Sequence, residues 1–204
     1  MQLIDREPPE TKSPVLLDVS GIVLHLSQEE FEQLCHDNPD RPLELTRDGE
    51  LEIMPPVGGE SGKWELELGI DLGIWNRQTK LGETFSSSTM FLLPNGAERS
   101  PDVSWVERSR WAALTPEQRQ KFLPLAPDFV IELRSPTDRL AKLQAKMVEY
   151  QENGVRLGWL INPQQQQVEI YRQGKEVEVL QSPTFLSGED VLPGFTLSLS
   201  SIFA

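Results

Sequence analysis

The sequence predicts an α/β fold in which helices flank a mixed central sheet, and three observations carry that prediction. Short apolar runs that alternate with period two are interspersed with longer stretches whose apolar residues recur at spacings of three and four. The order is helix, strands, a strand carrying Asp102, a strand carrying Glu132, helix, strand, which is a layered arrangement. Both carboxylates sit in apolar strand-like runs, where burial is costly without a partner.

The elements follow in chain order. Residues 1–14 carry Pro8, Pro9 and Pro14 with little apolar content, and read as an extended N-terminal arm before a single domain over residues 15–204. Ser27 and Glu30 form the capping-box pattern at the start of a short helix. Alternating residues on either side of Asp48-Gly49 predict an N-terminal β-hairpin, Leu43-Glu44-Leu45-Thr46 against Leu51-Glu52-Ile53-Met54. From Glu60 to about Lys80 the pattern is helical, with Trp64, Leu68, Leu72 and Trp75 on one stripe and Gly82 as its stop. Phe85-Ser86-Ser87-Ser88 and Met90-Phe91-Leu92-Leu93 read as strands, and Pro94-Asn95-Gly96 as a turn.

The Pro101 to Val106 strand comes next. A polar helical excursion over 111–122 follows, with Thr115-Pro116-Glu117 marking a helix start. The Phe129 to Leu133 strand precedes a helix that runs from Asp138 to about Asn153 and is ended by Gly154. Leu157 to Ile161 reads as a buried strand. Val168 to Arg172 and Glu176 to Leu180 read as two further strands, and 185–203 as a loop-rich tail with late apolar alternation.

Composition narrows the function. The net charge of −13 argues against coating nucleic acid by bulk electrostatics, since such binding needs Lys and Arg against phosphates. It leaves room for a nuclease with a local cationic site. The single cysteine, Cys35, allows no intramolecular disulfide, and the start of the chain lacks the basic and then apolar regions of a signal peptide. No apolar stretch approaches the roughly 20 residues of a membrane helix. The expectation is a soluble, cytoplasmic protein with no membrane partner.

Strand faces alternate, so Glu132 shares a face with Val130 and Arg134, and Asp102 shares one with Ser104 and Val106. If the two strands pair with these faces aligned, the carboxylates converge. Hard oxygen ligands suit Mg²⁺. On the following helix Leu140, Leu143, Met147 and Tyr150 form an apolar stripe, flanked by Lys142 and Lys146. A flank lysine can lay its stem on apolar surface and aim its ammonium at the sheet. A core ion pair between Glu132 and Arg134 is the rival reading of Glu132. Ser135 is read as a turn or cap residue before Pro136, and Trp111 as core.

The Ser-Pro-Asp strand, Glu132-Leu133-Arg134-Ser135-Pro136, Lys146-Met147-x-Glu149-Tyr150 and Gly154-Val155-Arg156-Leu157-Gly158-Trp159-Leu160-Ile161 resemble a large bacterial family of restriction-endonuclease-like proteins, long designated a domain of unknown function, within the PD-(D/E)xK nuclease superfamily. The resemblance runs from about residue 20 to the end. It implies a restriction-endonuclease-like core and Mg²⁺-dependent phosphodiester hydrolysis, with Mn²⁺ as a substitute ion. Asp102 matches the first metal-binding Asp, Glu132 the second carboxylate, and Glu60 the acidic residue that often supplements the metal site. Two residues after Glu132 stands Arg134 in place of the superfamily lysine. The family places that lysine on the next helix, where Lys146 is the candidate. Either Lys146 or Arg134 would serve the reacting phosphate.

The resulting expectation is a Mg²⁺-dependent endonuclease acting on nucleic acid, specifically DNA. The alternative is a non-catalytic interaction or regulatory module that keeps the fold, a reading the acidic charge favours. A glycoside hydrolase using two carboxylates leaves the lysine without a role. A homodimer through an edge strand such as Val168 to Arg172 is a further expectation.

Overall fold

The computed structural model describes residues 22–203. The arm expected over residues 1–14 lies outside the described residues.

Helix α1 (Gln28–Asp37) begins at the predicted capping box, with Ser27 Oγ accepting from the Glu30 N–H and Glu30 accepting from the Ser27 N–H. The expected hairpin forms from β1 (Leu43–Leu45) and β2 (Leu51–Ile53), turned by Gly49 at φ 80°. Helix α2 (Gly59–Thr79) ends differently from expectation. Lys80, at φ 57°, adopts the left-handed cap and its N–H reaches Asn76 O.

Gly82, read from sequence as the stop, opens β3 (Gly82–Ser86) instead. The position needs glycine for a steric reason. A Cβ there would lie 2.1 Å from Val106 O and 2.5 Å from the Trp105 ring. Asn76 ties the helix end to the sheet, donating to Gly82 O and accepting from the Gly82 N–H and the Trp105 indole.

Strands β4 (Phe91–Leu92) and β5 (Glu98–Arg99) join the hairpin in a four-stranded sheet ordered β2-β1-β5-β4. Strand β6 (Val103–Glu107) follows. The polar excursion resolves into α3 (Arg108–Ala113) and α4 (Pro116–Arg119), the latter capped by Thr115. Then come β7 (Phe129–Leu133), α5 (Leu140–Glu152), β8 (Leu157–Asn162), β9 (Gln167–Arg172) and β10 (Glu178–Gln181). The central sheet is six-stranded and ordered β10-β9-β8-β7-β6-β3. Its β7–β8 pair is parallel, joined by the α5 crossover, and its other pairs are antiparallel. The sheet is therefore mixed, as expected.

Strand β9 lies between β8 and β10, so its backbone is already paired on both sides. This corrects the reading of Val168 to Arg172 as an edge. Among the described residues the edges are β10 and β3, and the edge-pairing argument for a homodimer does not apply to β9.

The period-two alternation sorts the core into two layers. Phe129, Ile131 and Leu133 pack with Leu68, Leu72 and Trp75 of α2. Val130 packs on the other face with Leu143, Met147 and Tyr150 of α5. The tail contributes more than its loop-rich sequence suggests. Its short strands β11 (Phe185–Ser187) and β12 (Thr196–Ser198) pair, and Leu186, Leu192, Phe195, Leu197 and Leu199 join the α2-side core. Among the described residues no helix is long and apolar enough to cross a membrane.

Candidate active site

The β6–β7 register brings the two carboxylates together. Val103 pairs with Ile131 and Ser104 with Val130, so one step further along the same antiparallel register sets Asp102 opposite Glu132, on the face that carries Ser104 and Val130. Asp102 lies just before β6, where its backbone has left the ladder. Its carboxylate replaces the missing ladder bond, with Oδ2 accepting from the Leu133 N–H at 2.7 Å. This bond fixes Asp102 against the end of β7 beside Glu132.

Glu132 is 3% exposed. Its Oε1 lies 2.9 Å from Lys146 Nζ and accepts from the Tyr150 hydroxyl at 3.0 Å. Lys146, 8% exposed, also donates to Glu44 Oε1 at 2.9 Å. The predicted helix stripe explains this placement. Leu143, Met147 and Tyr150 bury against the sheet and carry Lys146 down with them, while Lys142 stays exposed and pairs with Glu52 at 3.1 Å. Asp102, Glu132 and Lys146 all line one cavity of about 970 Å³, as do Glu44 and Glu65.

Burial and neighbouring charge set the protonation preferences of these groups. Burial, reinforced by the Glu132 charge, pushes the Asp102 carboxyl well above the usual carboxylate range. Burial also raises Glu132, against the pull of Lys146. Glu44 is held low: burial opposes its charge, but Lys146 and Arg99 outweigh the burial. Burial opposes the Lys146 ammonium too, and Glu132 and Glu44 more than offset it, so Lys146 stays protonated. It is a hydrogen-bond donor and a counter-charge, not a base.

The other predicted residues lie elsewhere. Arg134 does not pair with Glu132. It donates to Asp138 O and Asn162 Oδ1, both at 3.3 Å, which braces the loop before α5. Glu60 is exposed in the first turn of α2 and is not part of the cavity lining. Glu65, further along that helix, lines the cavity, and its charge acts on Asp102. Among the described residues, no three His, Cys, Asp or Glu side chains converge to hold an ion. Ser135 forms the local turn expected of it, its N–H donating to Asp138 Oδ2 and its hydroxyl meeting Thr137. Trp111 is half-buried, packing beside Phe85 at the margin of the core with Arg119 over its ring.

Sequence reasoning missed Glu44 and Arg99. Arg99 Nη1 contacts Glu44 at 3.1 Å and Glu52 at 2.8 Å, while its Nε reaches Glu149 at 2.7 Å. A signal was present. The Asp-Gly hairpin sets Glu44 directly across from Glu52, and like charges at that position repel unless a cation lies between them.

Comparison with known proteins bears on the family and the fold. No curated protein matches the chain at a significant level. A crystal structure from Anabaena variabilis ATCC 29413, described as "a putative nuclease belonging to DUF820", shares the fold at a TM-score of 0.73. It is 22% identical, and the match covers 87% of this chain and 97% of that one. A family model described as "Putative restriction endonuclease" matches residues 28–200, which include all five predicted site residues. The chain belongs to that family, Uma2, whose restriction-endonuclease-like character the resemblance anticipated.

Proposed function

We propose that this protein is a Mg²⁺-dependent endonuclease that hydrolyses phosphodiester bonds of DNA, with Mn²⁺ able to replace Mg²⁺. The observation that carries the reading is the convergence of Asp102 and Glu132 in one cavity with the Lys146 ammonium 2.9 Å from Glu132. The family's description as restriction endonucleases supports DNA as the substrate.

The residues fit a divalent ion. Mg²⁺ is typically held by one or two carboxylates plus waters and substrate oxygens, so a pair suffices without a third acidic side chain. Asp102 has one oxygen committed to Leu133, and the burial that disfavours its charge is what a bound cation reverses. Asp102 and Glu132 would hold the ion, and Glu65 is better placed than Glu60 to add to its field. When bound, such an ion supplies an activated water and neutralises charge on the phosphate.

The chain's own residues do the rest. Lys146 donates to the attacking water or to a non-bridging phosphate oxygen, countering the charge that grows there. Tyr150 holds Glu132 in orientation through its hydroxyl. Arg134 is the second candidate for a phosphate contact, as a bidentate donor once freed from Asp138 and Asn162.

The test is cleavage of plasmid and linear DNA with Mg²⁺ or Mn²⁺. Asp102→Ala and Glu132→Ala should abolish ion-dependent cleavage while keeping a cooperative unfolding transition. Lys146→Met should lower kcat at least tenfold more than Arg134→Ala. Cleavage that persists in both carboxylate variants would reject the reading. A wild-type protein that binds the ion but cuts no nucleic acid would favour the non-catalytic module, which the net charge of −13 also suits.

A further inference from the structure

We infer that Glu44 is a positioning residue for this site, keeping the Lys146 ammonium in place when Glu132 turns to a metal ion. The inference rests on reading Lys146 as the cation of the reacting site.

Glu132 is subject to a conflict. Its Oε1 receives both Lys146 and Tyr150. A divalent cation bound to Glu132 would compete with the ammonium for the same carboxylate and repel it. With Glu132 as sole partner, Lys146 would have no counter-charge once the metal bound, and a long flexible side chain would leave the site. Glu44 supplies the second anchor. Its Oε1 is 2.9 Å from Lys146 Nζ, the same distance as Glu132 Oε1.

Glu44 is itself rigidly held. It is 1% exposed on β1. Its Oε1 also accepts from the Ser100 N–H at 2.9 Å, and its Oε2 accepts from Arg99 at 3.1 Å. Arg99 is fixed in turn by Glu52 and Glu149. The short segment from Arg99 to Asp102 therefore does two jobs. Its first two residues clamp Glu44, and its last sets Asp102 against Leu133. The lysine anchor and the first carboxylate are thus referenced to the same few backbone atoms. A cation needs this precision, because a misplacement of about 1 Å can cost roughly 100-fold in rate.

The test compares Glu44→Gln, Glu44→Asp, Lys146→Met and the Glu44→Gln/Lys146→Met double variant. Glu44→Asp keeps the buried charge, so the fold is retained, but shortens the reach to Nζ. Single-turnover DNA cleavage at saturating Mg²⁺ should fall about 100-fold in Glu44→Gln and in Lys146→Met. The double variant should be no slower than Lys146→Met within about threefold, because Glu44 acts through Lys146. Losses that multiply would overturn the inference, since a general structural defect adds to the loss of the lysine.

A second readout does not depend on activity. With saturating Mg²⁺ present, the Lys146 side-chain ammonium should give an observable, exchange-protected ¹⁵N NMR signal in the wild type, and that signal should be lost in Glu44→Gln and weakened in Glu44→Asp, whereas without Mg²⁺ Glu132 still holds the ammonium in both variants. An unchanged signal in both variants would show that Glu44 does not hold the lysine. If the wild type cleaves nothing, the hydrolase reading fails and takes the catalytic role with it. The NMR signal distinguishes that failure from a failure of the Glu44 anchor.

Discussion

Glu132 and Lys146 form a 2.9 Å ion pair with both side chains nearly buried, joining strand β7 to helix α5 beneath the cavity. The pair ties the sheet that carries the carboxylates to the helix that carries the cation. Its energetics and its chemistry are therefore linked.

Removing Lys146 should destabilise the protein more than removing a surface lysine. Two buried carboxylates, Glu44 and Glu132, would lose their shared cation. Breaking a buried pair by deleting one partner costs about 3–5 kcal/mol. Lys146→Ala should lose stability of that order in urea unfolding at pH 7. Adding Glu44→Gln and Glu132→Gln should restore a large part of it, and no restoration would mean that the loss is packing rather than charge.

Glu98 should make stability fall as pH rises. It is 1% exposed, neither carboxyl oxygen has a partner among the described residues, and burial followed by the Glu32 charge raises its pKa to about 7. A carboxyl raised in the fold is favoured when protonated. Its destabilising effect is absent below about pH 4.5, grows from there to about pH 7, and is constant above. Glu98→Gln should thus match the wild type near pH 4.5 and be more stable by up to ~3 kcal/mol at pH 8. Parallel stability curves for the two proteins across that window would refute this.

Gly82→Ala should be costly although the backbone there is ordinary strand. The added methyl would meet the Val106 carbonyl and the Trp105 ring, neither of which is a free side-chain end. Forcing extra carbon into a packed site costs about 1–3 kcal/mol. Thermal unfolding should show the loss, and a neutral substitution would mean that β3 and β6 can separate without penalty.

Local patterns made much of this molecule legible in the sequence. The Ser27–Glu30 capping box, the Asp48-Gly49 hairpin and the α5 stripe each depend on residues a few positions apart, and each formed as read. Asp102 and Glu132 were legible because a charge in an apolar strand is conspicuous. Other features depend on contacts between distant segments. Glu44 meets Lys146 across 102 positions of sequence, and nothing local near either residue names the other. The Gly82 stop failed because the glycine serves Trp105 and Val106 on a neighbouring strand, not the end of its own helix. The β9 edge failed because both strands after β8 were legible as strands, but their pairing order, with β9 held between β8 and β10, was not. Glu60 and Glu65 share a helix, and sequence could not fix which of them faces the cavity.

Direct measurement of the ion decides the central claim. Mn²⁺ binding should be followed by anomalous scattering from crystals of the wild type and of Asp102→Asn. A single Mn²⁺ peak within about 2–2.5 Å of oxygens from both Asp102 and Glu132, absent in the variant, is the predicted result. A peak elsewhere, or none at millimolar Mn²⁺, would contradict the account.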